Sequence, residues 1–374
     1  MSKALVCPCE DVTVEDIHHA VDRGFTDVES VKRFTGFGTG MCQGKQCLAA
    51  CARVLAARKE VKQAALAPFT PRTPVSPTEL ATLATATVSA GAVEGGVPPE
   101  EGSPAHAALR PEGDIPAKAK MVIIGGGIMG LALAYNLAER GETDVVVLEQ
   151  GYLCAGASGR NGGGVRAQWG TPSLIDLARR SIHLMKGFAA KTGINIWLRQ
   201  GGYLFLARNK AVVERLERSA ALHNRYGVKT AILSPAEGRD IVPELSMAGV
   251  QACAWNPDDG VVFPWPFLWG YARSAERRGV KVEIFTRVLG FEQSGGAIRK
   301  VKTDRGDIAA DTVVIAAGAW SPQVARLAGV QLPNVAHRHE ICSTEPLKPF
   351  LGPLVSVLDS GLYFSQSMRG EIVG

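Results

Sequence analysis

The stretch that most restricts the fold is residues 121–150, MVIIGGGIMGLALAYNLAERGETDVVVLEQ. A short apolar run, Val122–Ile124, leads into Gly125-x-Gly127-x-x-Gly130 and a helical pattern through Arg140. A second apolar run, Val145–Leu148, ends at Glu149. This reads strand–turn–helix–strand, the context that separates a dinucleotide fingerprint from glycines that merely mark turns. Gly125 permits the tight turn, Gly127 lets backbone approach a pyrophosphate, and Gly130 lets helix and strand pack closely. The helix N-terminus offers unpaired N–H groups and the positive end of its dipole to phosphates. Glu149 stands where a carboxylate accepts hydrogen bonds from a ribose diol. The stretch predicts a Rossmann-like α/β domain holding a dinucleotide.

The chain has 374 residues, enough for two or three domains. A hydrophobic content of 46% and a charged content of 21% are those of an ordinary globular protein. A net charge of +5, without a lysine-rich tract interleaved with aromatics, gives no reason to expect nucleic acid. No apolar run reaches membrane-spanning length and no charged-then-apolar leader opens the chain, so no membrane span and a cytoplasmic location are expected. In that compartment, four of the eight cysteines, grouped in two short clusters, read as metal ligands before disulfides.

Residues 1–59 read as a compact helical first domain. Cys7-x-Cys9 is placed in a short loop. Thr13-Val14-Glu15-Asp16 is a capping-box-like start to a helix ending near Gly24, and Asp27 caps a second helix. Cys42-x4-Cys47 leads into an alanine-rich helix reaching about Arg58. Four thiolates in two close pairs suit an iron–sulfur cluster clamped by two loops. Cys7-Pro8-Cys9-Glu10-Asp11-Val12-Thr13 and Gly40-Met41-Cys42-Gln43-Gly44-Lys45-Gln46-Cys47 resemble the bacterioferritin-associated-ferredoxin-like [2Fe–2S] domain. That resemblance implies Cys7, Cys9, Cys42 and Cys47 as ligands; a structural zinc on the same thiolates is the alternative. Cys51 reads as a small core residue. Residues 60–117, rich in Pro, Ala, Thr, Ser and Gly, read as a flexible linker.

After the fingerprint comes Gly156-Ala157-Ser158-Gly159-Arg160-Asn161-Gly162-Gly163-Gly164-Val165-Arg166, dense in glycines that let backbone pass close to a ligand. Farther on, a buried-strand pattern at residues 311–318, DTVVIAAG, precedes Ala319-Trp320-Ser321. With the fingerprint, these stretches resemble the D-amino-acid oxidase/sarcosine oxidase superfamily over residues 118–374. The resemblance implies an FAD domain with an inserted mixed-sheet substrate subdomain at roughly 195–285 and 335–374. It implies FAD contacts from Gly125, Gly127, Gly130, Glu149, Ser158, Arg160, Asn161, Gly162, Gly163, Val288 and Gly318. It also places a substrate-carboxylate arginine at Arg166, with Arg369 as a weaker candidate. The superfamily continues past the position of Gly374, so the chain is expected to be truncated at its C-terminus.

The expected architecture is thus α/β, or α+β overall: a small helical [2Fe–2S] domain, a Pro/Ala-rich linker, and an incomplete FAD domain. The chemistry implied is that of the sarcosine oxidase beta subunit and of opine or proline dehydrogenases. A secondary amine or amino acid loses hydride from the carbon of its C–N bond to FAD, and electrons leave through the cluster to an acceptor. Relatives of this kind are hetero-oligomeric and some carry FMN at a subunit interface. Residues 256–269, where a covalent attachment would fall, contain no histidine, which leaves non-covalent FMN open. His337 and His339 are acid–base candidates that no pattern locates in a pocket. Two other classes stay open: an electron-transfer or assembly subunit without a substrate site, and an inactive fragment.

Overall fold

The structure, a computed structural model, describes residues 4–40, 42–69 and 113–374. The larger part of the expected linker, residues 70–112, lies outside the described residues. The chain divides into two compact units, residues 1–160 with 268–340 and residues 161–267 with 341–374. Both mix helices with sheets, and the fold class is mixed α/β.

The first unit opens on a small helical part. Leu5–Cys7 pairs antiparallel with Val12–Thr13, so Cys7 closes a strand rather than lying in a loop, and Cys9 sits in the connecting turn. Thr13 Oγ1 accepts the N–H of Asp16 at 3.1 Å and the Asp16 carboxylate accepts the N–H of Thr13 at 2.9 Å. This reciprocal cap starts the helix Val14–Asp22. Asp27 caps Val28–Thr35 by accepting the N–H of Ser30 at 2.8 Å. Gly36, at φ +86°, ends that helix in the left-handed region, which glycine enters without steric cost. Leu48–Lys59 follows Cys47 directly.

Ile17, Val31, Phe37 and Leu55 are fully buried together with Cys7, Cys47 and Cys51. Packing continues beyond residue 59: Leu66 and Phe69 are buried, and Phe69 meets Phe37 edge-on at 5.9 Å. The same core takes in Phe285, with Tyr152 and Ile284 against it. Phe25 packs on Trp269 with ring centroids 4.2 Å apart, and Arg273 Nη2 donates to the carbonyl of Arg23 at 2.8 Å. The cysteine-bearing part therefore sits directly on the part that carries the fingerprint.

That second part is a six-stranded sheet in the order Lys281–Glu283, Val145–Leu148, Lys118–Ile124, Gly306–Ile315, Ala297–Thr303, Val288–Ser294. The first four are parallel and the last two complete an antiparallel meander. All four residues of Val145–Leu148 are buried, as an uninterrupted apolar run in a parallel sheet should be. The helix Ile128–Glu139 makes the crossover between Lys118–Ile124 and Val145–Leu148. Residues 281–283 had been expected in the substrate subdomain. Parallel pairing with Val145–Leu148 makes them the edge of this sheet instead.

The second unit is a seven-stranded mixed sheet in the order Ser343–Pro346, Glu371–Val373, Leu362–Gln366, Leu354–Val357, Tyr203–Ala207, Ala252–Asn256, Ala231–Leu233. Helices Pro172–Lys186 and Lys210–Arg225 accompany it. It begins earlier than the pattern suggested, because Gly164–Val165 pairs with Gly260–Val261.

Gln366, buried in the hairpin strand Leu362–Gln366, fixes the loop before Leu354. Its Oε1 accepts the N–H groups of Phe350 and Leu351 at 2.8 and 3.0 Å. Its Nε2 donates to the carbonyls of Gly370 and Lys348 at 2.9 and 3.0 Å. Gln366→Leu leaves the backbone groups of buried Leu351 and Gly370 unpaired, at about 1–3 kcal/mol each. The expected loss is about 3–5 kcal/mol, read from the urea unfolding midpoint. An unchanged midpoint would contradict the pinning role.

Candidate functional site

In the first unit the fingerprint residues gather where parallel strands end. Gly125 follows Lys118–Ile124 at φ +120°, and a Cβ there would lie 2.4 Å from the carbonyl oxygen of Ala316, at the end of the neighbouring strand. A Cβ on Gly130 would lie 2.0 Å from the carbonyl oxygen of Gly125, so helix and turn touch only because both are bare. One on Gly127 would lie 3.2 Å from Ser158 Oγ, which accepts the N–H of Ile128 at 3.0 Å.

Glu149 is half-buried at the end of Val145–Leu148. Its Oε2 accepts the N–H of Gly126 at 2.8 Å and its Oε1 that of Gly151 at 2.9 Å. Burial raises its pKa above the usual carboxylate range, opposed by the N–H groups of Gly151, Gly126 and Gln150. Three N–H groups leave part of the acceptor capacity of the two carboxylate oxygens free. Arg160 is exposed and hydrogen-bonds the phenol of Tyr152, which burial pushes up to about 12. Gly318, at φ +53°, opens the short turn Gly318–Trp320 after Gly306–Ile315. Val288 begins the outer antiparallel strand, paired with Thr303. A side-chain-free turn, a helix N-terminus and an acid with spare lone pairs, at the carboxyl ends of adjoining parallel strands, fit the adenosine and pyrophosphate of a dinucleotide.

In the second unit, Asn161 Oδ1 accepts the N–H of Gly163 at 2.8 Å, and a Cβ on Gly162 would lie 3.6 Å from the ring of Tyr363. Gly163 has φ +71°, and a Cβ there would lie 2.0 Å from the carbonyl oxygen of Val262. This close approach lays Gly164–Val165 beside Gly260–Val261 and brings Arg166 to the end of the ribbon.

The Arg166 guanidinium lies 4.4 Å from the ring centre of Trp169, with Tyr203 and Phe205 at 5.4 and 5.5 Å. Its Nη1 donates to the Tyr203 hydroxyl at 3.2 Å. Its Nε is buried without a hydrogen-bond partner. A buried unpaired donor on a charged group is costly, and a planar carboxylate is the ligand that satisfies such an edge in two bonds. Arg166 therefore fits a carboxylate.

Sequence reasoning did not single out the groups around it. Asp259, wholly buried, accepts the N–H of Ala167 at 2.7 Å, Asn256 Nδ2 at 2.8 Å and Gln168 Nε2 at 3.1 Å. Burial pushes its carboxyl up to about 6, while those three donors and Arg166 pull it back. Buried His223 meets the carbonyl of Trp169 at 3.0 Å, and burial lowers its pKa. Only the Asp-Gly pair at 259–260 could have marked this turn. A cavity of about 190 Å³ is lined by Ala167, Asn256 and Asp259 with His183 and Val228; its lining includes neither Arg166 nor Tyr203. His337 and His339 lie exposed, and Arg369 is exposed in a hairpin turn.

Four of the six cysteines of the first unit, Cys7, Cys9, Cys42 and Cys47, come together. Cys9 lies beside Cys42 and near Cys7, and Cys47 lies beside Cys7 and near Cys42. Backbone N–H groups of Gln46, Gly44 and Lys45 point at the sulfur of Cys42, and that of Gly38 at Cys47. Burial, then neighbouring Cys7, pushes the Cys47 thiol up to about 12. Cys51 is fully buried in the core. No group of three or more His, Cys, Asp or Glu side chains among the described residues is arranged to hold a metal ion. No helix there is long and apolar enough to cross a membrane.

The family model described as FAD dependent oxidoreductase matches residues 120–374. The chain belongs to the FAD dependent oxidoreductase family. Residues 1–87 match a family described as the sarcosine oxidase A3 domain, a domain different from the ferredoxin-like one that the cysteine spacing resembles. Among curated relatives, the sarcosine oxidase subunit beta of Rhizobium meliloti (strain 1021) is 33% identical over 258 residues, covering 68% of this chain and 62% of that one. The 4-methylaminobutanoate oxidase (formaldehyde-forming) of Paenarthrobacter nicotinovorans is 28% identical over 263 residues, covering 70% of this chain and 32% of that one. Among solved structures, the L-proline dehydrogenase of P. horikoshii superposes with a TM-score of 0.66 at 33% identity, covering 70% of each chain. The chain thus spans less than two thirds of the length of these curated relatives.

Proposed function

We propose that this FAD dependent oxidoreductase oxidises the C–N bond of a secondary amino acid, as a subunit of a hetero-oligomeric dehydrogenase. The observation that carries the reading is the buried, unpaired Nε of Arg166 in its aromatic setting. Sarcosine, 4-methylaminobutanoate and L-proline, named in the relatives, are all secondary amines that bear a carboxylate. On this reading Arg166 grips that carboxylate, Tyr203 and Trp169 hold the guanidinium flat, and Glu149 with the Gly125–Gly130 turn binds the adenosine half of FAD. Bound FAD supplies the two-electron acceptor for the oxidation. Matches to a sarcosine oxidase beta subunit and to a sarcosine oxidase A3 domain on one chain support the multi-subunit setting. Non-covalent FMN at a subunit interface stays open in such a complex, with no histidine in residues 256–269 to attach it.

The N-terminal part, in the same proposal, binds one [2Fe–2S] cluster through Cys7, Cys9, Cys42 and Cys47. What supports it is the gathering of these four thiols in one place, the number of cysteines that a [2Fe–2S] cluster takes. The N–H groups directed at Cys42 favour a thiolate there. A cluster supplies a one-electron route towards an acceptor. Anaerobically purified protein is expected to contain two iron and two acid-labile sulfide per chain, lost in Cys42→Ser and kept in Cys51→Ser. Stoichiometric zinc without sulfide would overturn this part and leave the amine-oxidation reading standing.

A further inference from the structure

We infer that Asp259 is a positioning residue for Arg166, fixing the loop that carries the guanidinium so that its unpaired edge keeps one direction towards a substrate carboxylate. The inference rests on the carboxylate-clamp reading of Arg166. An aspartate that only closed its own turn would need the Asn256 contact alone. Two of the three donors on Asp259 come instead from the residues immediately after Arg166: the backbone N–H of Ala167 and the side chain of Gln168.

The second arm then runs back to the guanidinium. Gln168 Nε2 also donates to the carbonyl of Tyr203 at 3.1 Å, and the Tyr203 hydroxyl accepts from Arg166 Nη1. Asp259 thus holds Arg166 through the backbone on one side and through Gln168 and Tyr203 on the other. The turn itself has no slack. A Cβ on Gly260 would lie 2.0 Å from the carbonyl oxygen of Arg199, and Gly202 donates its N–H to the carbonyl of Asp259 at 3.0 Å. The indole of Trp169 donates to the carbonyl of Arg166 at 3.0 Å and closes the loop over the guanidinium. A displaced Arg166 would lose bidentate geometry while keeping its charge, so the effect should fall on carboxylate recognition.

The test is calorimetric binding of L-proline and of pyrrolidine, its carboxylate-free counterpart, to the full FAD-loaded chain. Affinity for FAD is measured alongside. Asp259→Asn keeps the shape but turns an N–H₂ towards Gln168. Gln168→Met cuts one arm with Asp259 intact and decides the matter should the first variant fail to fold. Both are expected to weaken L-proline about tenfold or more, with pyrrolidine and FAD within about twofold. Equal losses for L-proline and pyrrolidine, or no loss for either, would reduce Asp259 to a fold element and overturn the inference. If Arg166→Met collapses the preference for L-proline while Asp259→Asn and Gln168→Met keep it, the inference fails and the clamp stands. If Arg166→Met keeps it, or the native chain binds no L-proline, the clamp fails and the inference with it.

Discussion

Arg166→Met is expected to cost the protein about two to four orders of magnitude in affinity for sarcosine or L-proline. A bidentate, charge-assisted pair contributes two hydrogen bonds of about 1.5–3 kcal/mol each, and each 1.4 kcal/mol or so is tenfold. Methionine preserves the apolar stem of the side chain, so packing and FAD binding should survive. Arg166→Lys should recover only part of the loss, because an ammonium keeps the charge without the planar fork. The measurement is anaerobic flavin reduction against substrate concentration. A parallel fall in FAD affinity would assign Arg166 to the cofactor or to folding.

The second large effect is expected at Gly130. Its hypothetical Cβ lies 2.0 Å from the carbonyl oxygen of Gly125, a backbone atom that cannot swing aside as a side-chain tip would. Gly130→Val must push the helix Ile128–Glu139 off the turn, spoiling the N–H array and the approach of backbone to pyrophosphate together. FAD affinity should fall at least about a hundredfold, roughly 2.7 kcal/mol, with the circular dichroism of the chain largely retained. FAD affinity within about tenfold of the native chain would mean that the fingerprint is a structural turn.

How much of this was legible in the sequence depended on the range of the interactions. The fingerprint is local: residues 121–150 specify strand, turn, helix and strand without help, and the observed elements agree to within a few residues. The caps at Thr13 and Asp27 are local too, each needing only a partner three residues on. The register of the second unit is not local. Gly164–Val165 meets Gly260–Val261 across nearly a hundred residues, and that pairing sets the boundary at 161. The packing of Phe25 on Trp269 was equally hidden, since an aromatic residue in a loop and one on a distant helix carry no mark of each other.

In the candidate site, Arg166 was readable because it closes a glycine-rich run. Asp259, Gln168, Tyr203 and His223 were not, because each looks like an ordinary residue until the chain brings it to Arg166 or to the loop that carries it. For the cysteines, spacing suggested four ligands, and the approach of Cys7 and Cys9 to Cys42 and Cys47 emerges only from the fold.

The most direct test of the account is to load the full chain with FAD and add sarcosine, L-proline and 4-methylaminobutanoate in turn without oxygen. Loss of the oxidised flavin absorption with at least one of them, and none with pyrrolidine at the same concentration, is the predicted result. FAD held tightly yet reduced by none of the three, or NAD bound more tightly than FAD, would contradict it.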